Sequence, residues 1–433
     1  MRAWPAERVA EAAGGRVVRE AAPGPLRAEI DSRSVGPGDL FVGLPGERVD
    51  GGTYAVTALE AGAWGVLVAP GHATGQLPGA GAVIAADDPL LALQRLATVW
   101  RRELACPVVG VTGSVGKTST KDILAAMLAQ RLRTVANHEN RNTEIGLPLT
   151  VLEAPAGTEA LVLEMGMRGP GQIAELARIA EPDVALITTV APVHLELMGS
   201  IEAIAAAKAE LVAGLAPGGT AVIPAGETLL DAHRRDDVTT ITFGPGGDVE
   251  ALPGGLTVPF ASAHMLRNAL AALAAARAVG VEPAGALDVA LSSLRGQRIE
   301  LGGGIVVIDD CYNANPMSMR AALDDLAASA SGRRVAVLGD MLELGPQEMR
   351  FHAETGAQAR AAGVELLVAV GPRAARMADG YGDGVVAVPD AAAAVAVLPG
   401  LIEPGDTVLV KGSRGVGLEV VAPAISTRPP RGR

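Results

Sequence analysis

The stretch that most constrains the fold is VTGSVGKTST, residues 111–120. An apolar run, PVVGVT, leads into a glycine-containing turn, and STKDILAAMLAQRL follows with apolar residues at helical spacing. This order of strand, turn and helix is typical of phosphate-binding loops, because the free backbone N–H groups and the dipole at the start of the helix attract phosphate oxygens. The stretch therefore predicts a nucleotide-binding α/β domain.

The loop departs from the usual pattern at one position, because Val111 stands where the leading glycine of G-x-x-x-x-G-K-[ST] is expected. Lys117 adds a mobile positive charge, and Thr118 adds a hydroxyl suited to Mg2+. The other loop residues predicted to cradle phosphate are Gly113, Ser114, Gly116 and Ser119. The alternative is a glycine-rich turn with a solvated lysine.

Short apolar strands alternate with helical runs along the rest of the chain, which predicts parallel sheets covered by helices. Residues 1–86 read as a small N-terminal α/β domain, and residues 87–297 as a central phosphate-loop domain with a parallel sheet. The segment through RGQRIEL is expected to close the central domain. Four further strands, GIVVIDD, RRVAVLGD, ELLVAVG and DTVLVKGS, predict a doubly wound, Rossmann-like C-terminal domain over residues 298–433.

Charge and composition exclude several classes of function. The net charge of −12 argues against nucleic-acid or anionic-membrane binding, which requires a surplus of Lys and Arg. The only cysteines, Cys106 and Cys311, suggest neither a disulfide framework nor a thiolate zinc site. No apolar run is long enough for membrane insertion, and the start of the sequence lacks a signal-peptide core, so a cytoplasmic location is expected. A monomer is the expected state, although no sequence signal sets it.

Three residues follow or neighbour predicted strands of the central domain and could serve chemistry there. Glu164 ends the strand EALVLEMG, where a carboxylate could hold Mg2+; the alternative is an acid facing solvent. His194 follows DVALITTV on the same rim of the sheet, where open α/β sheets bind ligands, but it could equally be an ordinary loop residue. Lys208 lies in an alanine-rich helix, where a solvated lysine is the usual case.

Two strand ends in the C-terminal domain carry polar clusters. VIDDCYNANP places Asp310, Asn313 and Asn315 in a turn before a helix, which suits ligand recognition, although Asn and Asp also favour turns for structural reasons. VLVKGSRG places Lys411 and Arg414 after a strand, where they could face an anionic ligand or simply be exposed cations on a glycine turn.

These signals together resemble one family. The order VTGSVGKTST, NHENRNTEIGLPLT, LVLEMG, APVHLELMGSIEAIAAAKAEL, HMLRNALAA, DDCYNANP, VLGDMLELG and VKGSRG, with DSRSVGPGDLFVGLPGERVDGG near the start, is similar to the Mur ligases over nearly the whole chain. DDCYNANP with GDMLELG resembles the member that joins D-alanyl-D-alanine to UDP-N-acetylmuramoyl-tripeptide. The resemblance implies an ATP-dependent peptide ligase of peptidoglycan synthesis that forms an acyl phosphate.

The resemblance also implies roles for single residues. Thr118 and Glu164 would hold one Mg2+ beside the ATP that Lys117 binds, and His194 with Lys208, the latter as a carbamate, would hold a second. Residues implied to contact ATP elsewhere are Asn268 at adenine, Arg298 at the phosphates and Asp310 at the ribose. Residues implied to contact the other substrates are Ser32, Arg33, Asn142, Asn313, Asn315, Lys411 and Arg414. A hinge is expected near residues 296–300.

Some positions depart from the family pattern. Thr143 replaces a second asparagine, Met265 replaces the asparagine after a histidine, Gln297 stands where glycine is common, and Gly52 stands where histidine is frequent. The sequence does not distinguish diaminopimelate from lysine as the third residue of the acceptor peptide. Other readings are a ligase of the same superfamily with a different amine, a phosphate-loop switch that hydrolyses ATP, and a silent nucleotide-binding module.

Overall fold

The computed structural model describes residues 4–75, 77–138, 140–193, 195–260 and 262–427. Within these ranges the chain forms sheets of five, six and six strands, together with a short sheet of two strands. Helices alternate with the strands along the chain. The predicted α/β class with three domains is confirmed, while the domain boundaries remain predictions.

The first domain contains a mostly parallel sheet. Its elements are α1 (Ala6–Ala13), β1 (Arg16–Arg19), β2 (Arg27–Glu29), β3 (Asp39–Val42), α2 (Ala55–Glu60), β4 (Gly65–Val68) and β5 (Ala82–Ala85). The strand order is β1-β5-β4-β3-β2, with β1 antiparallel to β5 and the other pairs parallel. The loops after the four parallel strands therefore meet at one edge of the sheet.

A histidine at this edge explains the departure at Gly52. A Cβ atom on residue 52 would overlap the imidazole of His72. The ring is held in place by Asp50, whose Oδ2 lies 2.8 Å from His72 Nε2 and whose Oδ1 accepts a hydrogen bond from the Gly52 backbone N–H at 2.9 Å. This pairing with His72 lowers the pKa of Asp50. Glycine is therefore required at position 52 while His72 occupies the space beside it.

The central domain surrounds a fully parallel sheet. Its elements are α3 (Pro89–Leu104), β6 (Val108–Thr112), α4 (Lys117–Ala129), β7 (Thr134–Ala136), α5 (Gly146–Glu153), β8 (Ala160–Glu164), α6 (Gln172–Ala180), β9 (Val184–Ile187), α7 (Leu195–Met198), α8 (Ile201–Ala213), β10 (Thr220–Pro224), β11 (Thr239–Phe243), β12 (Leu256–Thr257), α9 (Ala263–Ala278) and β13 (Gly285–Ala286). The order is β11-β10-β9-β6-β8-β7.

The position of β6 in this order explains where a ligand can bind. Every residue of β6, β8 and β9 is buried, which is why these strands appear in the sequence as continuous apolar runs. The chain leaves β6 towards β7 on one side and later returns to β9 on the other. Such a switch of direction opens a crevice at the carboxyl ends of the strands, and the loop after β6 lies there.

The third domain is doubly wound, as predicted. Its elements are β14 (Gln297–Glu300), β15 (Val306–Asp309), α10 (Pro316–Ser329), β16 (Arg334–Gly339), α11 (Glu348–Ala361), β17 (Leu366–Val370), α12 (Met377–Tyr381), β18 (Val386–Val388), α13 (Ala391–Val397), β19 (Thr407–Lys411) and α14 (Val421–Thr427). The order is β14-β15-β19-β16-β17-β18, antiparallel only at β14. The segment RGQRIEL does not close the central domain, because β14 pairs with β15 of the third sheet.

The hydrophobic cores are not distributed one to each domain. One cluster joins the first and central domains, running from Trp4 and Leu40 through α3 to Leu163 and Leu211. Within it the rings of Trp4 and Trp100 meet edge to face with centroids 5.4 Å apart. The third domain has two clusters of its own, on either side of its sheet. The first two domains therefore share a core that the third does not enter.

Candidate active site

The loop between β6 and α4 forms the predicted phosphate cradle. Its conformation is fixed by the loop after β9, since Ser114 N–H donates to the Thr189 carbonyl at 2.9 Å and Val115 N–H donates to Thr189 Oγ1 at 3.0 Å. Lys117 begins α4 and its Nζ donates to the Gly113 carbonyl at 2.9 Å. Val111 lies buried inside β6, so the missing leading glycine is a strand position rather than a loop position here.

Glycine is required at Gly116, the residue before α4. Its φ is +85°, a left-handed conformation that side chains disfavour. A Cβ atom there would also lie 2.5 Å from Asn268 Oδ1, so α9 approaches the loop closely. Asn268, predicted at adenine, is buried, and its amide donates to the Met265 sulfur at 3.8 Å. Met265, which replaces the asparagine of the family pattern, therefore provides a weak hydrogen-bond acceptor for Asn268.

The carboxylate of Glu164 is the centre of a buried hydrogen-bond network. Thr118 Oγ1 donates to Oε2 at 2.7 Å and Asn142 Nδ2 donates to Oε1 at 2.8 Å. Asn137 fixes the backbone of the same residue, accepting from its N–H at 2.8 Å and donating to its carbonyl at 3.0 Å. Because Glu164 is only 2% exposed, the alternative of an acid facing solvent is wrong.

These oxygens fit a hard cation. A hydroxyl and a carboxylate lie together at the carboxyl end of the sheet beside Lys117, which is the donor set that Mg2+ prefers next to a triphosphate. Among the described residues, no group of three or more His, Cys, Asp and Glu side chains could hold a metal ion without additional ligands. The protein thus offers a partial ligand set that phosphate oxygens and water would complete.

Lys208 is buried in α8, not solvated. The residue is 2% exposed and is among the largest fully enclosed side chains. Burial lowers the pKa of its ammonium well below the ordinary value, and the charge of Lys117 lowers it further. The expectation of an ordinary solvated lysine is therefore wrong. His194, the other predicted ligand, lies outside the described residues.

Lys117 shares this electrostatic environment. Desolvation lowers the pKa of its ammonium, and the nearby charge of Arg295 acts in the same direction, whereas Glu164 opposes the shift. Several cationic groups therefore converge on one region with a single buried carboxylate between them. Such a region favours a polyanionic ligand.

The third domain contributes a second set of polar groups. Lys411 is 2% exposed, and its Nζ donates to Asp310 Oδ2 at 2.6 Å and to the Asn313 carbonyl at 3.0 Å. The alternative of an exposed cation is therefore wrong for Lys411. Asn315 caps α10, accepting from Ser318 N–H at 2.9 Å, so its side chain has the structural role typical of this residue type.

One cavity of about 1360 Å³ brings the two sets together. The predicted residues that line it are Ser114, Gly116, Lys117, Thr118, Ser119, Asn142, Glu164, Asn268, Asp310, Asn313, Asn315, Lys411 and Arg414. Its volume exceeds that of most small-molecule sites, which reach about 1,000 Å³. The cavity between the central and third domains can therefore accept more than one substrate.

Other predicted residues lie elsewhere. Arg298 is on β14, and its guanidinium donates to Asp325 Oδ2 and Ser329 Oγ, both at 2.8 Å, rather than facing the cavity. Ser32 and Arg33 lie in the loop after β2, at the carboxyl edge of the first sheet, where Arg33 pairs with Asp31. Their contacts with ligands remain predictions.

Sequence reasoning missed several residues that line the cavity, among them His264, Arg295 and Tyr312. His264 lies on α9, four residues before Asn268, and burial lowers the pKa of its imidazole. Tyr312 is part of the quoted DDCYNANP motif, so its position could have been inferred from its neighbours. Arg295 gave no sequence signal, because its position depends on how the chain turns between two domains.

Three family models match the chain. They are the Mur ligase family catalytic domain over residues 28–104, the Mur ligase middle domain over residues 111–276, and the Mur ligase glutamate ligase domain over residues 294–414. No helix in the described part of the chain is both long and apolar enough to cross a bilayer. The cytoplasmic location and the monomeric state stay predictions.

Individual relatives are similar over almost the full length. The UDP-N-acetylmuramoyl-tripeptide–D-alanyl-D-alanine ligase of Synechocystis sp. is 40% identical over 412 residues, covering 90% of each chain. The Bacillus subtilis protein of the same name is 36% identical over 90% of this chain and 91% of its own. Among solved structures, MurF from Acinetobacter baumannii has a TM-score of 0.84 and 28% identity over 99% of this chain and 100% of its own. MurF ligase from Thermotoga maritima, in complex with ADP, has a TM-score of 0.79 and 29% identity, with coverages of 93% and 97%.

Proposed function

The chain belongs to the Mur ligase family, and from that premise we propose that it joins D-alanyl-D-alanine to UDP-N-acetylmuramoyl-tripeptide with ATP, in peptidoglycan precursor synthesis. The observation that carries this proposal is the cavity in which the phosphate loop faces the DDCYNANP and VKGSRG segments. Relatives with 36% and 40% identity over nine-tenths of the chain have this activity in their names.

The reaction requires the peptide carboxylate to be activated. A carboxylate oxygen attacks the γ-phosphorus of ATP, the bond to the β–γ bridging oxygen breaks, and ADP leaves with the electron pair. The amine of D-alanyl-D-alanine then attacks the acyl carbon, loses a proton, and displaces inorganic phosphate as the amide forms. The protein has little covalent chemistry to perform, so positioning and charge stabilisation supply most of the rate.

The residues of the phosphate loop bind and orient the triphosphate. Backbone N–H groups at the start of α4 and the Nζ of Lys117 would contact phosphate oxygens, and Lys117 would exchange its bond to the Gly113 carbonyl for one to phosphate. Asn268, in contact with the loop at Gly116, lies where it could contact adenine from the same side. Asp310, with Lys411 beside it, would contact the ribose from the third domain.

Thr118 and Glu164 would hold a Mg2+ ion, whose charge, when bound, neutralises the triphosphate and the transferring phosphoryl group. Asn142 supports this role because its amide holds Oε1 of Glu164 and leaves the carboxylate oriented towards Thr118. The oxygen donors are appropriate for the ion, and the site is buried enough for each charge interaction to be strong.

Lys208 would be carbamylated and would serve as a ligand for a second Mg2+ together with His194. The lowered pKa supports this, because only a neutral amine reacts with CO2, and a buried amine close to Lys117 is neutral at lower pH than a solvated one. In the product, the new N–C bond replaces an N–H bond, and one proton is released. The carbamate would also place a negative charge near Lys117, which is electrostatically favourable.

Intact-mass and activity measurements test the carbamate. Native mass spectrometry in bicarbonate should show an added mass of CO2 that is absent from Lys208→Ala, and a short carboxylic acid should partly restore the activity of that variant. Lys208→Met is the matched control for packing. Full activity of Lys208→Ala without added acid would contradict the proposal.

The first domain would bind the uridine nucleotide at the edge that carries Ser32 and Arg33. These residues follow β2, and the loops after the other parallel strands converge at the same edge. Asn313, Asn315, Lys411 and Arg414 would serve the peptide and amine substrates from the third domain, with Asn315 acting through the N-terminus of α10. The identity of the third peptide residue stays open.

The decisive experiment combines purified protein with ATP, Mg2+, the UDP-linked tripeptide and D-alanyl-D-alanine, and measures product mass and ADP together. Ligation predicts the joined product and ADP release that depends on both other substrates. Replacing D-alanyl-D-alanine with a panel of other amino acids separates this activity from that of other ligases in the superfamily. ADP release at the same rate without acid and amine would instead indicate a hydrolytic switch.

A further inference from the structure

The segment between the central and third domains places an arginine in the cavity. Arg295 lies between α9 and β14, and it lines the same cavity as Lys117 and Glu164. Its guanidinium carbon lies 3.9 Å from the centroid of the Tyr312 ring, within the range of a cation–π contact. Within the described part of the chain it forms no ion pair with a carboxylate, so its charge is available to an anionic ligand.

One end of this segment is attached to the helix of the phosphate loop. Ser292 donates from its backbone N–H to Asp122 Oδ2 at 2.8 Å and from its hydroxyl to Asp122 Oδ1 at 3.1 Å. Asp122 is on α4, and the buried ammonium of Lys121 lies 2.8 Å from Oδ1 of the same carboxylate. The attachment is therefore a buried, charge-assisted network on the same helix that begins with Lys117.

The backbone then turns twice around the arginine. Leu294 has φ +61° and Gly296 has φ +74°, so left-handed residues precede and follow Arg295. The Leu294 carbonyl accepts a hydrogen bond from Tyr312 N–H at 3.2 Å. A leucine in this conformation costs roughly 1–2 kcal/mol, so surrounding contacts must maintain it. The turn separates the two arginines of the segment, with Arg295 at the cavity and Arg298 bound to Asp325 on α10.

Arg295 lines the same cavity as the phosphate loop. Its positive charge lowers the pKa of Lys117, and it also interacts with the hydroxyl of Tyr312, whose own pKa burial raises. Two cations that converge on one region repel each other in the free protein, and Glu164 opposes this effect at Lys117. A bound phosphate chain would convert this repulsion into attraction, which is the arrangement expected of a site for transferring phosphoryl groups.

We propose that Arg295 is a further catalytic residue, whose guanidinium contacts the γ-phosphoryl group of ATP while that group moves from the β–γ bridging oxygen to the acceptor carboxylate. This inference rests on the proposed ligase function for the identity of the acceptor. Ser292 attaches the arginine to the central domain and Tyr312 holds it from the third domain. Contacts from both domains therefore position the guanidinium.

Binding measurements and kinetics on Arg295→Met test the proposal. By calorimetry with Mg2+, the variant should lose about tenfold affinity for a non-hydrolysable ATP analogue with an intact γ-phosphoryl group, while ADP affinity changes less than about threefold. The kcat for ADP formation with all substrates should fall at least about a hundredfold, and Arg295→Lys should recover part of it. Arg277→Met, a surface arginine paired with Glu282, is the matched control.

Tyr312→Leu separates positioning from direct contact. Loss of the ring should lower kcat about 5- to 30-fold in the presence of Arg295, and should add little to Arg295→Met, because the ring acts through the guanidinium. Full additivity of the two changes would show that Tyr312 does not position Arg295.

Three results would overturn the role of Arg295. These are a folded Arg295→Met protein with kcat within about threefold of the parent, an equal loss of affinity for ADP and for the ATP analogue, or the selective loss appearing in Arg298→Met instead. The nucleotide-binding comparison needs neither the acid nor the amine substrate. The binding comparison therefore still tests the role of Arg295 if the protein proves not to have the proposed ligase activity.

Discussion

Glu164→Gln offers the sharpest test of the buried network around the phosphate loop. The amide has almost the same shape as the carboxylate, and its oxygen can still accept from Asn142 Nδ2, which lies 2.8 Å away. On the other side, the new NH2 group faces Thr118 Oγ1, 2.7 Å away, which at present donates its proton. The change therefore keeps the packing, removes one negative charge and leaves the Thr118 proton without its acceptor.

Glu164→Gln should change both the free energy of unfolding and kcat, by different amounts. A hydrogen bond to a charged group contributes about 1.5–3 kcal/mol and a neutral one about 0.5–1.5 kcal/mol, but the amide no longer requires burial of a charge. We expect a net destabilisation of about 1–2 kcal/mol. The expected effect on catalysis is larger, because loss of the proposed carboxylate ligand for Mg2+ would remove about 3–4 kcal/mol of transition-state stabilisation, or roughly 200- to 1,000-fold in kcat.

The assay compares kcat and KM for ATP across a range of Mg2+ concentrations. The KM for ATP should change by less than about fivefold, because Lys117 and the backbone of the loop remain, while kcat falls and partly recovers at high Mg2+. Glu210→Gln is the control, since Glu210 accepts bonds from Gly171 and Ala174 N–H groups outside the cavity. A folded Glu164→Gln protein with kcat within about tenfold of the parent and ordinary Mg2+ dependence would refute the reasoning.

Three further outcomes are expected. Lys117→Ala should abolish ligation and leave the far-ultraviolet circular dichroism unchanged, because the side chain contacts the Gly113 carbonyl and not the core; product at near-normal rates would exclude its phosphate role. Gly52→Ala should lower the melting temperature, because the new methyl overlaps His72, and His72→Ala in the same chain should recover most of the loss; equal melting temperatures for parent and Gly52→Ala would contradict this packing. Burial lowers the pKa of His352 from 6.5, so the unfolded chain takes up the proton first as pH falls. Stability should therefore be constant above that ordinary pKa and decrease below it, by at most about 1.4 kcal/mol per pH unit, and thermal melting between about pH 7.5 and pH 5 should show a shallower decrease for His352→Gln.

The sequence predicted those parts of the site in which function and local structure coincide. A phosphate loop is determined by about ten consecutive residues, so Lys117 and Thr118 could be placed from the strand, the glycines and the helix alone. Glu164 could be placed because a residue at the end of a buried strand must lie at the ligand-binding edge of a parallel sheet. Its burial could not be predicted, because it depends on Asn142 and Asn137 folding over it from a different segment.

Long-range geometry accounts for what the sequence did not indicate. Lys208 looks solvated in an alanine-rich helix because the sequence does not show which face of α8 is enclosed. The segment through RGQRIEL is expected from the sequence to close the central domain, because the partner of β14, β15, can be identified only in three dimensions. The family pattern implies a role for Arg298. The position of Arg295, by contrast, is set by two left-handed residues and by the attachment of Ser292 to α4, which the sequence does not reveal.

The core shared by the first and central domains also affects how the chain is made. α1 and the first sheet pack against α3, and the same cluster continues through α5, α6 and α8 to Leu215. A nascent chain that has emerged only as far as β5 must therefore leave Trp4, Leu40 and other apolar side chains without their partners. The first domain packs against α3 and α5, so at ribosomal rates of about 5–20 residues per second those side chains wait roughly 3–14 s for the next 70 or so residues. During that interval one face of the first sheet stays exposed, although the other face has a cluster of its own, whereas the third domain encloses the cores on both faces of its sheet.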